Sequence, residues 1–170
     1  MMFNDRADGD DDVLVFELAD EAATKRLAER LADAAHVGDV ICLIGDLGAG
    51  KTALARAFIR YLTEAAEEVP SPTFTLLQTY ASDAGEIYHF DLYRLEDPDE
   101  ALELGIEDAF ADGITLIEWA ERLGDLLPAD RLDLRLDIGA GATARRATLT
   151  GHGRWRAKLA ESISEGAIHA

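Results

Sequence analysis

The sequence predicts an α/β fold, a three-layer sandwich in which helices cover both faces of a mostly parallel central sheet. The segment Val40–Ile44 is apolar at every position and runs into a glycine-rich turn, which is typical of a strand buried on both faces. Strand-like runs and segments of helical periodicity alternate along the chain, as they do in α/β proteins. Two later pairs of strand-like runs have short connections, so we also expect an antiparallel hairpin or a late strand pair.

Apolar spacing and turn residues assign elements to the first half of the chain. A strand at residues 13–16 precedes a helix that Asp20 would cap. Apolar residues recur every four positions on one face of this helix: Ala23, Leu27, Leu31 and Ala35. The helix after Val40–Ile44 has four residues on its expected core side: Leu54, Phe58, Tyr61 and Leu62. Prolines make residues 69–72 an extended loop, and strands are expected at 74–80 and 86–90 around a hairpin turn at 82–85.

The second half of the chain continues this alternation. Short helices are expected at residues 98–104 and 106–110, a strand at 114–117, and a late strand pair at 131–138 and 145–150. Apolar residues at helical spacing predict a closing helix: Trp155, Leu159 and Ile163. Residues 1–12 are rich in Asp and poor in apolar residues, so we interpret them as a disordered acidic tail and residues 13–170 as a single domain.

Composition narrows the classes of function. The chain has 170 residues and a net charge of −18, which argues against tight, unaided binding to nucleic acid or to an anionic membrane. Its single cysteine, Cys42, excludes an internal disulfide and fits a reducing compartment. The sequence contains neither an apolar run of membrane-spanning length nor an N-terminal signal core, so a cytoplasmic protein is expected.

The glycine-rich segment matches the phosphate-loop pattern G-x-x-x-x-G-K-[ST] at every position. Its residues are Gly45, Asp46, Leu47, Gly48, Ala49, Gly50, Lys51 and Thr52. Glycines let the backbone curl so that amides point at phosphate oxygens, and the following helix adds its positive end. Lys51 would reach the β- and γ-phosphates, and the Thr52 hydroxyl would ligate magnesium. The motif predicts a P-loop NTPase-like sandwich that binds ATP and Mg²⁺, against the alternative of a glycine turn without a chemical role.

A phosphate loop also needs an acidic group that helps to bind the metal ion or orients water. Two carboxylates that follow strand-like runs are candidates for this role. Asp91 ends the run at 87–90, and Glu118 ends the run at 114–117. Ligands bind at the carboxyl ends of strands in open α/β sheets, so both acids are expected near the loop, although each could be an ordinary residue on a solvated rim. Thr73 lies where a switch-like loop would carry a hydroxyl to the γ-phosphate, with a stiff surface connector as the alternative.

Four motifs together resemble the TsaE (YjeE) family of ATPases. They are the phosphate loop, residues 71–76 (Ser-Pro-Thr-Phe-Thr-Leu), residues 89–95 (His-Phe-Asp-Leu-Tyr-Arg-Leu) and residues 117–119 (Ile-Glu-Trp). Their order and spacing fit the family from about Asp20 to Leu136. The resemblance implies a bacterial, cytosolic ATPase that acts with the TsaB and TsaD proteins. In that family, ATP hydrolysis supports formation of threonylcarbamoyladenosine at position 37 of tRNA (t6A37).

The resemblance also implies roles for single residues. They are Lys51 for the phosphates, Thr52 and Glu118 for magnesium, Asp91 for water, Thr73 in the switch-like loop, and Trp119 beside the nucleotide. The match departs at Ala53, where the family often has a second hydroxyl residue that contacts the α-phosphate. TsaB and TsaD, rather than this acidic chain, would hold the tRNA.

Other interpretations stay open at the level of sequence. The chain could be a nucleotide-sensing adaptor with little turnover, or a small-molecule kinase, although no lid insertion is visible. A late basic cluster could meet nucleotide phosphate, RNA or a partner, or could be a solvated face: Arg145, Arg146, Arg154, Arg156 and Lys158. His89 could point at the site, with a core histidine as the simpler interpretation.

Overall fold

The computed structural model describes residues 13–163. Within this range the chain forms seven strands, five α-helices and one 3-10 helix. The strands are β1 (Val13–Leu18), β2 (Val40–Ile44), β3 (Leu77–Tyr80), β4 (Glu86–Asp91), β5 (Gly113–Glu118), β6 (Arg131–Ile138) and β7 (Arg145–His152). The helices are α1 (Glu21–Ala34), α2 (Lys51–Leu62), α3 (Asp99–Glu103), α4 (Ile106–Asp112) and α5 (Trp155–Ser162), and the 3-10 helix spans Ala120–Leu126. The acidic tail expected at residues 1–12 lies outside the described residues.

The seven strands form one sheet in the order β1-β7-β6-β2-β5-β4-β3. The four central strands, β6, β2, β5 and β4, run parallel, whereas β3 at one edge and β7 and β1 at the other pair antiparallel. The predicted mixed sheet is confirmed, and it contains both the hairpin and the late strand pair. Because parallel strands end at the same edge, the segments that follow β2, β4 and β5 come together there.

Two apolar cores, one on each face of the sheet, make the fold three layers thick. Alternate residues of β2 point to opposite faces, so Ile41 and Leu43 belong to one core, whereas Val40 and Cys42 belong to the other. The first core packs the sheet against α1, α2 and α5, and the second packs it against α3, α4 and the 3-10 helix. Burial on both faces explains why β2 is apolar at every position.

Caps and apolar stripes set the ends and the orientation of the helices. The Asp20 side chain caps α1 as predicted, because its Oδ1 accepts a hydrogen bond of 2.9 Å from the Ala23 amide. The stripes predicted for α1 and for the closing helix are buried: Ala23, Leu27, Leu31 and Ala35, and Trp155, Leu159 and Ile163. None of the helices within residues 13–163 combines the length and the apolar character needed to cross a membrane.

Two local expectations are wrong. Tyr61, expected on the core side of α2, is 48% exposed, and its hydroxyl donates to Asp33 Oδ1 at 3.4 Å. Strand β3 begins at Leu77 rather than at residue 74, because a turn precedes it. In that turn the Leu76 amide donates to the Pro72 carbonyl at 2.7 Å, and Leu76 has a left-handed φ of 67°. The turn replaces the start of the expected strand.

Candidate active site

The glycine-rich loop lies at the carboxyl end of β2, in the middle of the sheet, and leads directly into α2. Gly45 passes close to β6, and a Cβ atom there would lie 2.5 Å from the Leu136 carbonyl oxygen. Gly50 is the N-cap of α2 with a φ of 103°, a left-handed conformation that favours glycine. The first amides of α2 therefore open onto the loop, which is the arrangement of an anion site.

Lys51 is the first residue of α2, and its side chain folds back over the loop. It is only 5% exposed. Its ammonium donates a hydrogen bond to the Gly45 carbonyl and lies 3.9 Å from the centroid of the Trp119 ring. Burial lowers the pKa of this ammonium, while the nearby carboxylates of Glu118 and Glu121 act to raise it. A cation whose contacts are a neutral carbonyl and a ring can still gain from a phosphate, which is a stronger acceptor.

A chain of hydrogen bonds joins α2 to the ends of β5 and β4. The Thr52 hydroxyl donates to Glu118 Oε1 at 2.9 Å. His89 Nε2 lies 2.8 Å from Glu118 Oε2, and because a carboxylate only accepts, Nε2 is the donor. His89 Nδ1 is buried without a hydrogen-bond partner among the described residues. Both oxygens of the buried Glu118 carboxylate are therefore held in place.

Asp91 lies beside Glu118 because β4 and β5 end in register. Asp91 Oδ2 accepts a hydrogen bond of 3.0 Å from the Thr73 hydroxyl, and Oδ1 accepts one of 3.0 Å from the Tyr93 amide. The single proton of the Thr73 hydroxyl is used in this way, so the Ser71 hydroxyl donates in its 2.7 Å contact with Thr73. The turn before β3 thus places a hydroxyl against the carboxylate that ends β4.

The glycine-rich loop, the start of α2 and the ends of β4 and β5 line one cavity of about 240 Å³. The loop and the start of α2 contribute Leu47, Gly48, Gly50, Lys51, Thr52 and Ala53. The other elements contribute Thr73, Asp91, Glu118 and Trp119. Three residues that we predicted as binding residues do not line the cavity: Gly45, Asp46 and Ala49. Ala49 is instead buried in the core, and its amide donates to the Asp46 carbonyl at 3.0 Å.

Trp119 leaves β5 in a conformation that a non-glycine residue rarely adopts. Its φ and ψ are 61° and 42°, in the left-handed region. Its ring packs against Tyr93 with 4.9 Å between centroids and also covers the Lys51 ammonium. Backbone strain of this kind is concentrated at functional sites, where the surrounding contacts maintain it.

The oxygen atoms that line the cavity are suitable ligands for a magnesium ion that also binds phosphate. The Thr52 hydroxyl and the Glu118 carboxylate are hard ligands that lie in contact with each other. Over residues 13–163, no cluster of three or more His, Cys, Asp or Glu side chains could hold a metal ion by itself. Protein-bound Mg²⁺ takes its remaining ligands from water and substrate phosphates. The side chains therefore suit an Mg²⁺–nucleotide complex better than an all-protein metal site.

The sequence left open whether His89 points at the site, and it gave no indication that Arg145 contacts the glycine-rich loop. His89 is buried, as a core histidine would be, but it bonds directly to Glu118. Its position two residues before Asp91, on the same face of β4, is the signal that could have indicated this. Arg145 donates to the backbone of the glycine-rich loop, 96 residues away at Ala49, and no local signal marks such a contact.

Three other residues of the late basic cluster, Arg146, Arg154 and Lys158, make separate contacts. Arg146 Nε lies 2.6 Å from Glu17 Oε1, across the β1–β7 pair. Two further ion pairs join Arg154 to Asp130 and Lys158 to Asp39. These three side chains are paired with carboxylates of their own, which argues against a shared anion-binding role for them.

Most of the chain matches one protein family. Residues 18–147 match the family model described as threonylcarbamoyl adenosine biosynthesis protein TsaE. A tRNA threonylcarbamoyladenosine biosynthesis protein TsaE from Rickettsia felis is 43% identical over 121 residues, which are 71% of this chain and 71% of that protein. The protein of the same name from Bacillus subtilis is 39% identical over 142 residues, which are 83% of this chain and 87% of that protein.

A solved structure is also similar to this chain. The crystal structure of YdiB from Bacillus subtilis matches with a TM-score of 0.72 at 32% identity. The match covers 88% of this chain and 93% of that one. The chain belongs to the TsaE family.

Proposed function

We propose that the chain binds ATP with Mg²⁺ and hydrolyses it in support of t6A37 formation in tRNA. The observation that carries the proposal is the 2.9 Å contact between the Thr52 hydroxyl and Glu118, because it joins a loop of the phosphate-binding pattern to a carboxylate at the end of the neighbouring strand, where P-loop proteins bind magnesium. Asp91 ends the neighbouring strand beside it. Membership of a family named for threonylcarbamoyl adenosine biosynthesis supports the biological role.

Phosphate binding is assigned to the loop, the start of α2 and Lys51. The amides of the loop and of the first turn of α2 would bind phosphate oxygens. The Lys51 ammonium would exchange the Gly45 carbonyl for the β- and γ-phosphates, and the exchange is favourable because phosphate is charged. Trp119, whose ring lies 3.9 Å from that ammonium, would then face the nucleotide.

Thr52 and Glu118 would hold the magnesium ion. When bound, the ion neutralises negative charge that develops on the phosphates in the transition state. His89 contributes by donating to Glu118 Oε2 at 2.8 Å, which leaves the carboxylate turned toward Thr52. The ligands are thus oriented before any nucleotide arrives.

Asp91 would orient the water that attacks the γ-phosphate. Each of its carboxylate oxygens accepts one hydrogen bond from the protein, from Tyr93 and from Thr73, so each keeps a lone pair for water. A carboxylate held in this way can accept the water proton as the new oxygen–phosphorus bond forms. The bond between the γ-phosphorus and the oxygen that bridges it to the β-phosphate breaks at the same time, and the products are inorganic phosphate and ADP.

The tRNA would be bound by TsaB and TsaD rather than by this chain. A net charge of −18 gives the chain little electrostatic attraction for a polyanion. We therefore propose that it acts as the nucleotide-dependent subunit of an assembly with those two proteins, and that its turnover alone is slow.

The test is the rate of ATP hydrolysis with and without the TsaB–TsaD pair, for wild type, Lys51→Ala and Asp91→Asn. We expect slow turnover alone, faster turnover with the pair, and loss of nucleotide binding in Lys51→Ala. Asp91→Asn should lower kcat by about 100-fold, the typical contribution of a general base, and leave ADP affinity close to that of wild type.

Arg135→Ala is the matched control, because Arg135 is exposed on β6 and pairs with Asp137 at 3.3 Å rather than with the site. Its turnover should equal that of wild type. If wild type turns over no faster than Lys51→Ala, with or without the pair, the adaptor interpretation replaces hydrolysis. If Asp91→Asn turns over as fast as wild type, Asp91 is not the group that orients the water. If the pair changes neither rate nor affinity, the proposed partners are wrong.

A further inference from the structure

Hydrogen bonds from Arg145 connect the glycine-rich loop to β7, one of the antiparallel strands of the sheet. It is the first residue of β7, and its guanidinium makes four hydrogen bonds, all to backbone carbonyls. Two are to the loop: Nε to Ala49 at 2.8 Å and Nη2 to Gly48 at 3.3 Å. Two are to the connection before β7: Nη1 to Ala142 at 3.1 Å and to Ala144 at 2.7 Å. The guanidinium therefore bridges two segments far apart in sequence.

The contacts to the loop fix the direction of its peptide groups. In a trans peptide the C=O and N–H bonds point in opposite directions. The Ala49 carbonyl is turned toward Arg145, so the Gly50 amide of the same peptide is turned away from it, and Gly50 lines the cavity. The Gly48 carbonyl is also turned toward Arg145, while the amide of that peptide, on Ala49, donates to the Asp46 carbonyl at 3.0 Å.

We propose that Arg145 is a positioning residue for the nucleotide: it holds the phosphate loop from outside, so that the loop amides are oriented before phosphate binds. The inference rests on the proposed nucleotide site. Amides that are already ordered lose less conformational freedom when a ligand binds. The fixed guanidinium also adds positive potential behind the loop, which favours an anion.

Direct contact with phosphate is the competing role for this arginine. A guanidinium has five N–H donors in a rigid fork, and the four hydrogen bonds to carbonyls leave one of them. Lys51 has one carbonyl contact to exchange for phosphate, whereas a turn of Arg145 toward a ligand would break contacts to two backbone segments at once. The geometry favours support of the loop over contact with the ligand.

Substitution separates these two roles. Arg145→Ala removes the fork, and Arg145→Lys keeps the charge but cannot bridge two carbonyls with a planar group. We expect both variants to bind ADP about tenfold more weakly than wild type, as for the loss of one or two hydrogen bonds to a charged group. At saturating ATP their kcat should stay within about twofold of wild type, because the groups that act on water are unchanged.

Arg146→Ala is the matched control. It removes the same charge one residue away, from a side chain that pairs with Glu17 at 2.6 Å instead of with the loop. Its ADP affinity should equal that of wild type. Equal losses of ADP affinity in Arg146→Ala and Arg145→Ala would overturn the inference, since the change in net charge alone would then explain both losses.

A second readout needs no nucleotide. Backbone ¹⁵N relaxation should show the amides of Gly48, Ala49 and Gly50 ordered in wild type and in Arg146→Ala, and more mobile on the ps–ns timescale in both Arg145 variants. Amides of Val40–Ile44 report whether each variant is folded.

Unchanged loop order in Arg145→Ala would overturn the inference even if ADP affinity fell, because the arginine would then act on phosphate directly. Wild-type affinity in Arg145→Lys would also overturn it. If wild type binds no ADP at all, the proposed function fails, and the relaxation data still decide whether Arg145 orders the loop.

Discussion

Glu118 accepts a hydrogen bond at each of its carboxylate oxygens, from Thr52 on one side and from His89 on the other. It is only 2% exposed, and a buried acceptor left without a donor costs about 1–3 kcal/mol. The register of β4 and β5 brings His89 to Glu118, since Asp91 pairs with Glu118 and His89 lies two residues before Asp91. A change at His89 therefore acts on the orientation of Glu118 as well as on packing.

His89→Phe should lower the free energy of unfolding by about 1–3 kcal/mol, because it fills the space but leaves Glu118 Oε2 without its donor. His89→Gln should lower the free energy of unfolding by less, since its amide retains an N–H group that can donate to Glu118. Urea denaturation measures both effects. The control is the same pair of changes in a Glu118→Gln background, where the two effects should differ less than in wild type. A His89→Phe effect that is identical in both backgrounds would mean that His89 acts through packing alone.

Among the elements, β2 and the loop and helix that follow it are packed between neighbours on both faces of the sheet, and this packing determines which residues they can contain. Val40–Ile44 was predicted residue for residue, because a strand covered on both faces must be apolar throughout. The start of β3 was misplaced, since Leu76 adopts a left-handed turn without the glycine that usually indicates one. Tyr61 was misplaced because an aromatic ring with a polar tip also suits the border of a helix face.

Gly45→Ala should destabilise the nucleotide-free protein by about 1–3 kcal/mol, because its Cβ would lie 2.5 Å from the Leu136 carbonyl. Gly48→Ala is the control, since its φ is also positive, 83° against 152° at Gly45, but its Cβ would meet no atom within 4 Å. Thermal unfolding should give a lower Tm for Gly45→Ala than for Gly48→Ala. Equal Tm values would show that the approach of β6 does not require glycine at this position.

At the scale of the whole molecule, the topology brings together motifs that are distant in sequence. The expectation that Asp91 and Glu118 lie near the glycine-rich loop followed from the rule that ligands bind at the carboxyl ends of parallel strands, and all of them line one cavity. The rule says nothing about the antiparallel strands. It therefore could not show that Arg145, at the start of β7, reaches the loop across β6.

The central claim is that Thr52 and Glu118 form the magnesium site of a nucleotide-binding loop. Calorimetric titration of wild type, Thr52→Ala and Glu118→Gln with ADP, in Mg²⁺ and in EDTA, tests it most directly. We expect Mg²⁺ to tighten ADP binding to wild type by about tenfold or more, and we expect this gain to be lost in both variants while binding in EDTA stays near that of wild type. An undiminished Mg²⁺ effect in Glu118→Gln and Thr52→Ala would mean that these two residues do not bind the metal.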